Sequence, residues 1–353
     1  MALLDMEYID RLMDDGVRRA LRRERVFRDR GNPLDVLDDL QLYERYRLDR
    51  QGIMDLTEML DDVLRRATNR SQALAPSHQV LIALRFYASG AFQITTGETL
   101  NVSKSSASRA IRRVSLAIST HLNKFVYYPT EPADITCVRV QLQAIAGFPG
   151  VLGVIDGTQV KVKGPRRREC EYVGRKGGHT MNVQAVALLD GTFSNVLVKY
   201  PGLVHDSRIF RESPLYRDLQ AGRKQGLLLG DLAYALSTFL MKPLPNPVTD
   251  PEKRYQKAFL TTRATVERTF GQLKGRWNCL HQELRYSPPR CCAIISACVG
   301  LHNFATRRHM PPFPAVDDPE DLAEAVEVDD LLNAAAPDGK VKQQQIIRQY
   351  FND

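Results

Sequence analysis

The stretch "VLGVIDGTQVKVK", residues 151–163, marks a change in the periodicity of the chain. Ahead of it, apolar residues recur at the three-to-four spacing of helices. Within it they run together as "VLGVID" and alternate as "QVKVK", as buried and half-buried strands do. Further strands follow across Gly-containing turns, "MNVQAVALLD" (181–190) and "FSNVLVKY" (193–200). Then "HDSRIFRESPLYRDL" (205–219) reads as helix, "GLLLGD" (226–231) as a buried strand, and residues 262–277 and 290–306 as later helices. Strands first, then strand and helix in alternation, predict an α/β domain in which helices pack on a sheet.

Acids sit at telling places in that layout. Asp156 ends the first strand, Asp206 opens the helix after the third, and Asp231 ends the strand that comes next. Glu267 is the lone acid of "RATVERTFGQLKGRW" (263–277), one turn from Arg263 and two turns before Lys274. Ends of adjacent strands and a helix crossing the sheet can bring these groups together from distant positions. Carboxylates so gathered repel unless cations sit between them, and hard oxygen ligands suit Mg²⁺ or Mn²⁺. Two such ions, about 4 Å apart, activate a water or a 3′-hydroxyl on one side of a phosphorus and stabilise the leaving oxygen on the other. Phosphodiester chemistry is therefore expected, with Arg263, Lys274 and Arg276 facing the phosphates that flank the scissile bond. Asp at a strand end also caps turns and Glu on a helix usually faces solvent, so spacing and strand context carry this reading together.

Composition is consistent with it. The 353 residues are 43% hydrophobic, enough for sizeable cores. The net charge of +8 divides unevenly, since residues from 309 onward carry −7 and the preceding residues +15. So basic a body suits a polyphosphate partner. The six cysteines form no CxxC pair and lie mostly in apolar contexts, which speaks against a disulfide framework or zinc ribbon and for a reducing compartment. Cys298 and His302 share a helix face, yet no second ligand pair follows them, and core packing is the expectation. No apolar run approaches the ~20 residues of a membrane span, and "MALLDMEYIDRL" is too acidic and broken for a signal peptide. The expectation is a soluble intracellular protein with no membrane partner.

Residues 1–65 read as a helical region. Its arginine-rich "RRALRRERVFRDR" (18–30) suits a solvated face, a DNA contact or nuclear import alike. Residues 66–130 contain three helical segments between short turns, with Ser77 a candidate cap for the first, "TGETLN" the second, and serines of "VSKS" capping the third. The third segment carries Ala107, Ala110, Ile111, Val114 and Ile118 on one stripe, and Ser105, Ser108, Arg109, Arg112 and Arg113 on the other, with Lys104 at its start. A recognition helix of a helix-turn-helix needs that division. An ordinary bundle with a basic outer face would show it too.

Among the loops, "KGPRRREC" places Arg166, Arg167 and Arg168 on a turn beyond the second strand, and Arg175 and Lys176 precede His179 in a Gly-rich loop. Such loops can clamp a nucleic-acid backbone or simply be solvated. His179 and His205 can position a phosphate, or form structural hydrogen bonds.

Several motifs together, in order, resemble one family. "GVIDGTQVKV", "RKGGHTMNVQAV", "YPGLVHDSRIF", "LLGDLAY", "RATVERTFGQLKGRW" and "LHNF", with "NPLDVLDDLQLYERYRLDR" near the start, are similar to transposases of PIF/Harbinger elements and the nuclease derived from them. The resemblance implies an RNase H-like catalytic core, a mixed sheet with flanking helices over residues 131–308, behind the helical region with its helix-turn-helix. It also implies a DDE acid set, two divalent ions, and cleavage and joining of DNA at element ends. On the family motifs, Asp156 is the first acid and Glu267 the last. The middle one is Asp231 by RNase H-like topology, with Asp206 a fourth carboxylate beside the metals. Arg263, Glu267 and Lys274 match the Arg-Glu-Lys part of a Tyr-Arg-Glu-Lys signature, but Leu260 replaces its Tyr. The resemblance further implies a homodimer or higher oligomer, a Myb/SANT-like accessory protein and work in the nucleus. A host-adopted nuclease with no element to mobilise, and a catalytically silent DNA-binding or chromatin factor, are the competing functions.

Residues 309–353 turn acidic after two prolines, as "MPPFPAVDDPEDLAEAVEVDDLL". A flexible acidic tail is expected there, with "VKQQQIIRQYF" (341–351) as a short terminal docking helix.

Overall fold

The structure, a computed structural model, describes residues 31–66, 73–174, 177–314 and 337–352. The arginine-rich run at 18–30, Arg175, Lys176 and most of the acidic tail lie outside the described residues.

Helices build the first third: α1 Pro33–Val36, α2 Asp39–Tyr46, α3 Arg50–Leu64, α4 Pro76–Ser89, α5 Gln93–Thr99, α6 Lys104–Thr120 and α7 Pro132–Ala146. Local chemistry fixes their starts. Asp38 and Gln41 form a capping box on α2, Asp49 caps α3, and the Ser103 hydroxyl accepts from Ser106 N to start α6. Ser77 is not a cap: α4 begins one residue earlier, at Pro76, whose fixed φ suits a first turn.

Then come the strands β1 Val151–Lys161, β2 Thr180–Ala187 and β3 Phe193–Pro201, the short helices α8 Asp206–Arg211 and α9 Pro214–Gln220, and the strands β4 Leu227–Leu229 and β5 Leu240–Met241. Three helices complete the chain: α10 Asp250–Arg276, α11 Pro288–Arg307 and α12 Pro337–Tyr350. The strands form one five-stranded sheet among the described residues, in the order β3-β2-β1-β4-β5. The β1/β2 and β2/β3 pairs are antiparallel, and β4 and β5 join in parallel.

Three expectations change here. "VLGVID" and "QVKVK" are one strand, because pairing with β2 continues through Asp156 and Gly157, so Asp156 lies within the strand and not at its end. The helix expected over 205–219 is two, since Ser213 caps a new start and Pro214 supplies no amide hydrogen for the old one. The helix holding Glu267 begins at Asp250, behind a capping box of Thr249 and Glu252. Neither α7 nor β5 was expected.

Alternation along β1, interrupted by the irregularity between Val151 and Gly153, separates two cores. Val154, Val160 and Val162 join the larger one under α10 and α11, while Leu152 and Ile155 join Val186, Phe210 and Tyr234 under α8 and α9. The larger core also contains Leu42, Leu60, Leu84, Ile111 and Ile118, so the helical region and the sheet share one continuous interior. Trp277, the only tryptophan, is fully buried at the end of α10 and meets Tyr87 of α4 edge-on at 6.2 Å. The terminal helix α12 packs Ile346 and Ile347 into the same core, and Gln343 donates to Lys242 O.

Asn303 of "LHNF" explains its place in that motif. Its Oδ1 accepts from Phe193 N at 2.8 Å, and its Nδ2 donates to Phe193 O at 2.7 Å and Phe125 O at 2.9 Å. One buried amide therefore ties β3 to the end of the helical region. Asn303→Ala, which strands the Phe193 amide, should lower unfolding stability by roughly 2–4 kcal/mol. Urea denaturation followed by circular dichroism measures this, and an unchanged midpoint would contradict the role.

Candidate active site

The candidate site lies on the sheet face covered by α10. Asp156 is nearly buried, and its Oδ1 accepts from Gly157 N at 2.9 Å. From α10 the guanidinium of Arg263 reaches down to it: Nη2 donates to Asp156 Oδ2 at 3.1 Å, while Nη1 donates to Glu267, one turn along the same helix. Asp156 and Glu267 thus stand on one side of the sheet, joined through one cation. Burial pushes the Asp156 carboxyl well above the usual carboxylate range, Arg263 pulls it down, and Asp231 and Asp206 push it up again.

Asp231 comes to the same face through strand register. The parallel β1/β4 pairing ends with Val154 opposite Leu229, two residues before Asp156 and Asp231, and the Asp231 charge reaches the Asp156 carboxyl. Alternation gives it the same direction, because Gly230 abuts Ile155 of the other core. Asp231 Oδ1 accepts from Ala233 N at 2.9 Å, which sets the turn after the strand.

Asp206 occupies the opposite face. Its carboxylate lies against Gly157, where a Cβ would come within 2.6 Å, and Gly157 points away from the Asp156 side. Asn182 Nδ2 donates to Asp206 Oδ1, and Gln184 Nε2 donates to Asp206 O and to the hydroxyl of Tyr234. Asp206 thus lies against Gly157 and Asn182, away from the Arg263 contact, while its charge still pushes the Asp156 carboxyl up. Reading the sequence did not select Asn182, Gln184 and Tyr234, although polar residues at alternate positions of the apolar "MNVQAV" were a signal.

Two of the expected phosphate contacts point elsewhere. Lys274 is 1% exposed and donates from Nζ to Gln159 O at 3.2 Å. Arg276 is 3% exposed, and its Nη2 donates to Pro311 O. Lys274 follows Glu267 by two full turns and so shares its stripe of α10, but both cations are buried and bonded to backbone carbonyls. Arg113 is also engaged, donating to Val63 O and Leu64 O at the end of α3. By contrast, Lys104, Arg109 and Arg112 on α6 and Arg166, Arg167 and Arg168 on their turn are exposed. Leu260 is half exposed on α10.

The histidines are accounted for locally. His179 pairs with Glu169 at 2.9 Å, and His205 is the exposed N-cap residue of α8. His302 meets Gly191 O, and burial drives its pKa down to about 4. Cys298 lies 3.7 Å from Cys279 within the core, which is packing and not metal ligation.

Among the described residues no three acids, histidines or cysteines stand close enough to hold a metal ion. The donor chemistry nevertheless fits one: all the groups are hard carboxylate oxygens, and a guanidinium already stands as a cation between two of them.

Known proteins resemble this chain over most of its length. Residues 155–303 match the DDE superfamily endonuclease domain. The chain is 37% identical over 308 residues to the protein named "Putative nuclease HARBI1" of Homo sapiens, covering 84% of this chain and 88% of that one. The chain belongs to the Harbinger-related DDE family. The Xenopus laevis protein of the same name is 34% identical over 78% of this chain and 80% of its own length. "Protein ALP1-like" of Arabidopsis thaliana is 23% identical over 65% and 60%. No solved structure matches. The five-stranded mixed sheet with flanking helices is consistent with an RNase H-like DDE core.

Burial of Lys274 has a measurable consequence. Lys274→Ala should cost roughly 2–4 kcal/mol of stability, while the salt dependence of DNA binding keeps its slope. A slope reduced by about one ion would return Lys274 to the phosphates.

Proposed function

We propose that the protein is a DNA endonuclease of the DDE type in which Asp156, Asp231 and Glu267 hold two divalent ions, Mg²⁺ or Mn²⁺. The observation that supports this is the meeting of Asp156 and Glu267 through Arg263, with Asp231 two residues beyond the last β1/β4 pair and its charge acting on Asp156. Metal ions bound there would supply an activated oxygen nucleophile and a stabilised leaving oxygen. Glu267, exposed on α10, is the acid that can move to complete the set. Asp206 supports the site from the other face by packing on Gly157. Tyr234, buried beyond it with its hydroxyl bonded to Gln184, holds the turn that carries Asp231.

In this reading DNA is bound by α6 of a helix-turn-helix made with α5, through Lys104, Arg109 and Arg112, and by the turn at Arg166, Arg167 and Arg168. The protein acts in the nucleus, as a dimer or larger oligomer that brings two DNA ends together, with a Myb/SANT-like accessory protein. The full reading is a transposase that cuts at terminal inverted repeats and joins the 3′-hydroxyl to target DNA. A host-adopted nuclease uses the same residues and lacks the joining step. Incubation with DNA bearing terminal repeats and an unrelated target separates the two, because only the first produces joined strands.

With Mg²⁺ or Mn²⁺ the purified protein should nick such DNA, and Asp156→Asn, Asp231→Asn and Glu267→Gln should each lower the rate by at least about 10³-fold while leaving the circular dichroism spectrum intact. Undiminished cleavage in chelator, or in any of these variants, would remove the mechanism. Arg109→Ala with Arg112→Ala should weaken duplex binding and reduce its salt slope by about two ions. An unchanged slope would leave α6 as an ordinary basic face.

A further inference from the structure

Arg263 is 9% exposed, and its two terminal nitrogens contact carboxylates from different elements, Asp156 of β1 and Glu267 of α10. Those two acids belong to the set assigned to the metals. An oxygen lone pair occupied by a guanidinium is unavailable to a metal, and two cations repel at such range. The contact therefore joins two acids of different elements through one buried side chain.

We propose that Arg263 is an internal counterion that competes with the divalent cation for Asp156 and Glu267, and that metal binding releases it toward the DNA backbone. This rests on the assignment of those acids as metal ligands. Arg263 and Glu267 are one helical turn apart on α10, so the guanidinium can leave by side-chain rotation alone, with the helix fixed. Once released it seeks another anion of matching geometry, and a phosphodiester offers two oxygens to its fork. DNA and metal then favour each other. Phosphate takes up the guanidinium that the metal must displace, and the coupling is reciprocal. A protein loaded in this order binds its cation weakly until DNA is present.

The test is Mn²⁺ titration of the full chain, read by electron paramagnetic resonance of free Mn²⁺, for the wild type, Arg263→Gln, Arg263→Lys and Asp156→Asn, with and without duplex DNA. Without DNA, Arg263→Gln should bind Mn²⁺ on the order of tenfold more tightly than wild type, the factor expected for removal of one competing charge-assisted contact. Arg263→Lys, a compact charge that cannot span both acids, should fall between them. DNA should tighten Mn²⁺ binding to the wild type and leave Arg263→Gln unmoved. Equal or weaker Mn²⁺ binding by Arg263→Gln would overturn the proposal and make Arg263 a residue that only positions the acids. Should Arg263→Gln not fold, the folded Arg263→Lys decides, and an affinity no higher than wild type overturns the proposal. Asp156→Asn that binds Mn²⁺ like wild type would instead overturn the assignment of the site itself.

Discussion

Everything at this site depends on neutralising carboxylates that the fold forces together. Two like charges about 4 Å apart at an effective dielectric near 20 repel by ~4 kcal/mol, a sizeable share of a domain's whole stability. Here burial already disfavours the charged form of Asp156, and the negative groups at Asp231 and Asp206 disfavour it further. The Arg263 guanidinium is the group that opposes them. An RNase H-like sheet that carries acids on its central strand and on the neighbouring strand needs a cation at that place, and a helix laid across the face can deliver one.

Rigidity around that contact comes from an interior that does not stop at the boundary between helices and sheet. Trp277 at the end of α10 packs against Tyr87, whose hydroxyl lies 2.7 Å from Ser115 of α6. Arg290 at the start of α11 donates to Ser108 of the same helix. The helix that carries Arg109 and Arg112 is therefore fixed relative to the helix that carries Glu267. Their relative position is set by packed side chains and not by a linker.

Much of this was legible from residue patterns. The succession of strands and helices along the chain could be expected from where the periodicity changes, and Asp156, Asp206, Asp231 and Glu267 stood out as acids beside apolar runs. Less visible were features that depend on direction. The spacing puts Arg263, Glu267 and Lys274 on one stripe of α10, but that stripe leans on the sheet, so Lys274 is buried against the β1 backbone, and Arg276 is buried at the helix end. Likewise, "VIDGTQV" reads as a strand, a turn and a strand, because glycine marks turns more often than it marks close contacts. Here it keeps strand geometry and leaves room for a carboxylate. Arg113 could not be distinguished from Arg109 and Arg112 by type, because only the position of α3 decides which arginine meets a helix end.

The pleat gives the two candidate middle acids different surroundings. Side chains alternate along a strand, so Asp156 and Gly157 must face opposite ways, and whatever touches the missing side chain of Gly157 cannot share the Asp156 face. Asp206 touches it, and the amides of Asn182 and Gln184, which pair with the same stretch of β1, hold Asp206 by its carboxylate and its carbonyl. Asp231 follows Gly230, which abuts Ile155, and so turns to the Asp156 face. The motifs "HDSR" and "LLGD" thus supply two aspartates with different work. One is packed on the Gly157 side of the strand, and the other follows the strand that pairs with β1 in parallel. Any side chain at position 157 would push Asp206 away, which accounts for the glycine that follows the first acid.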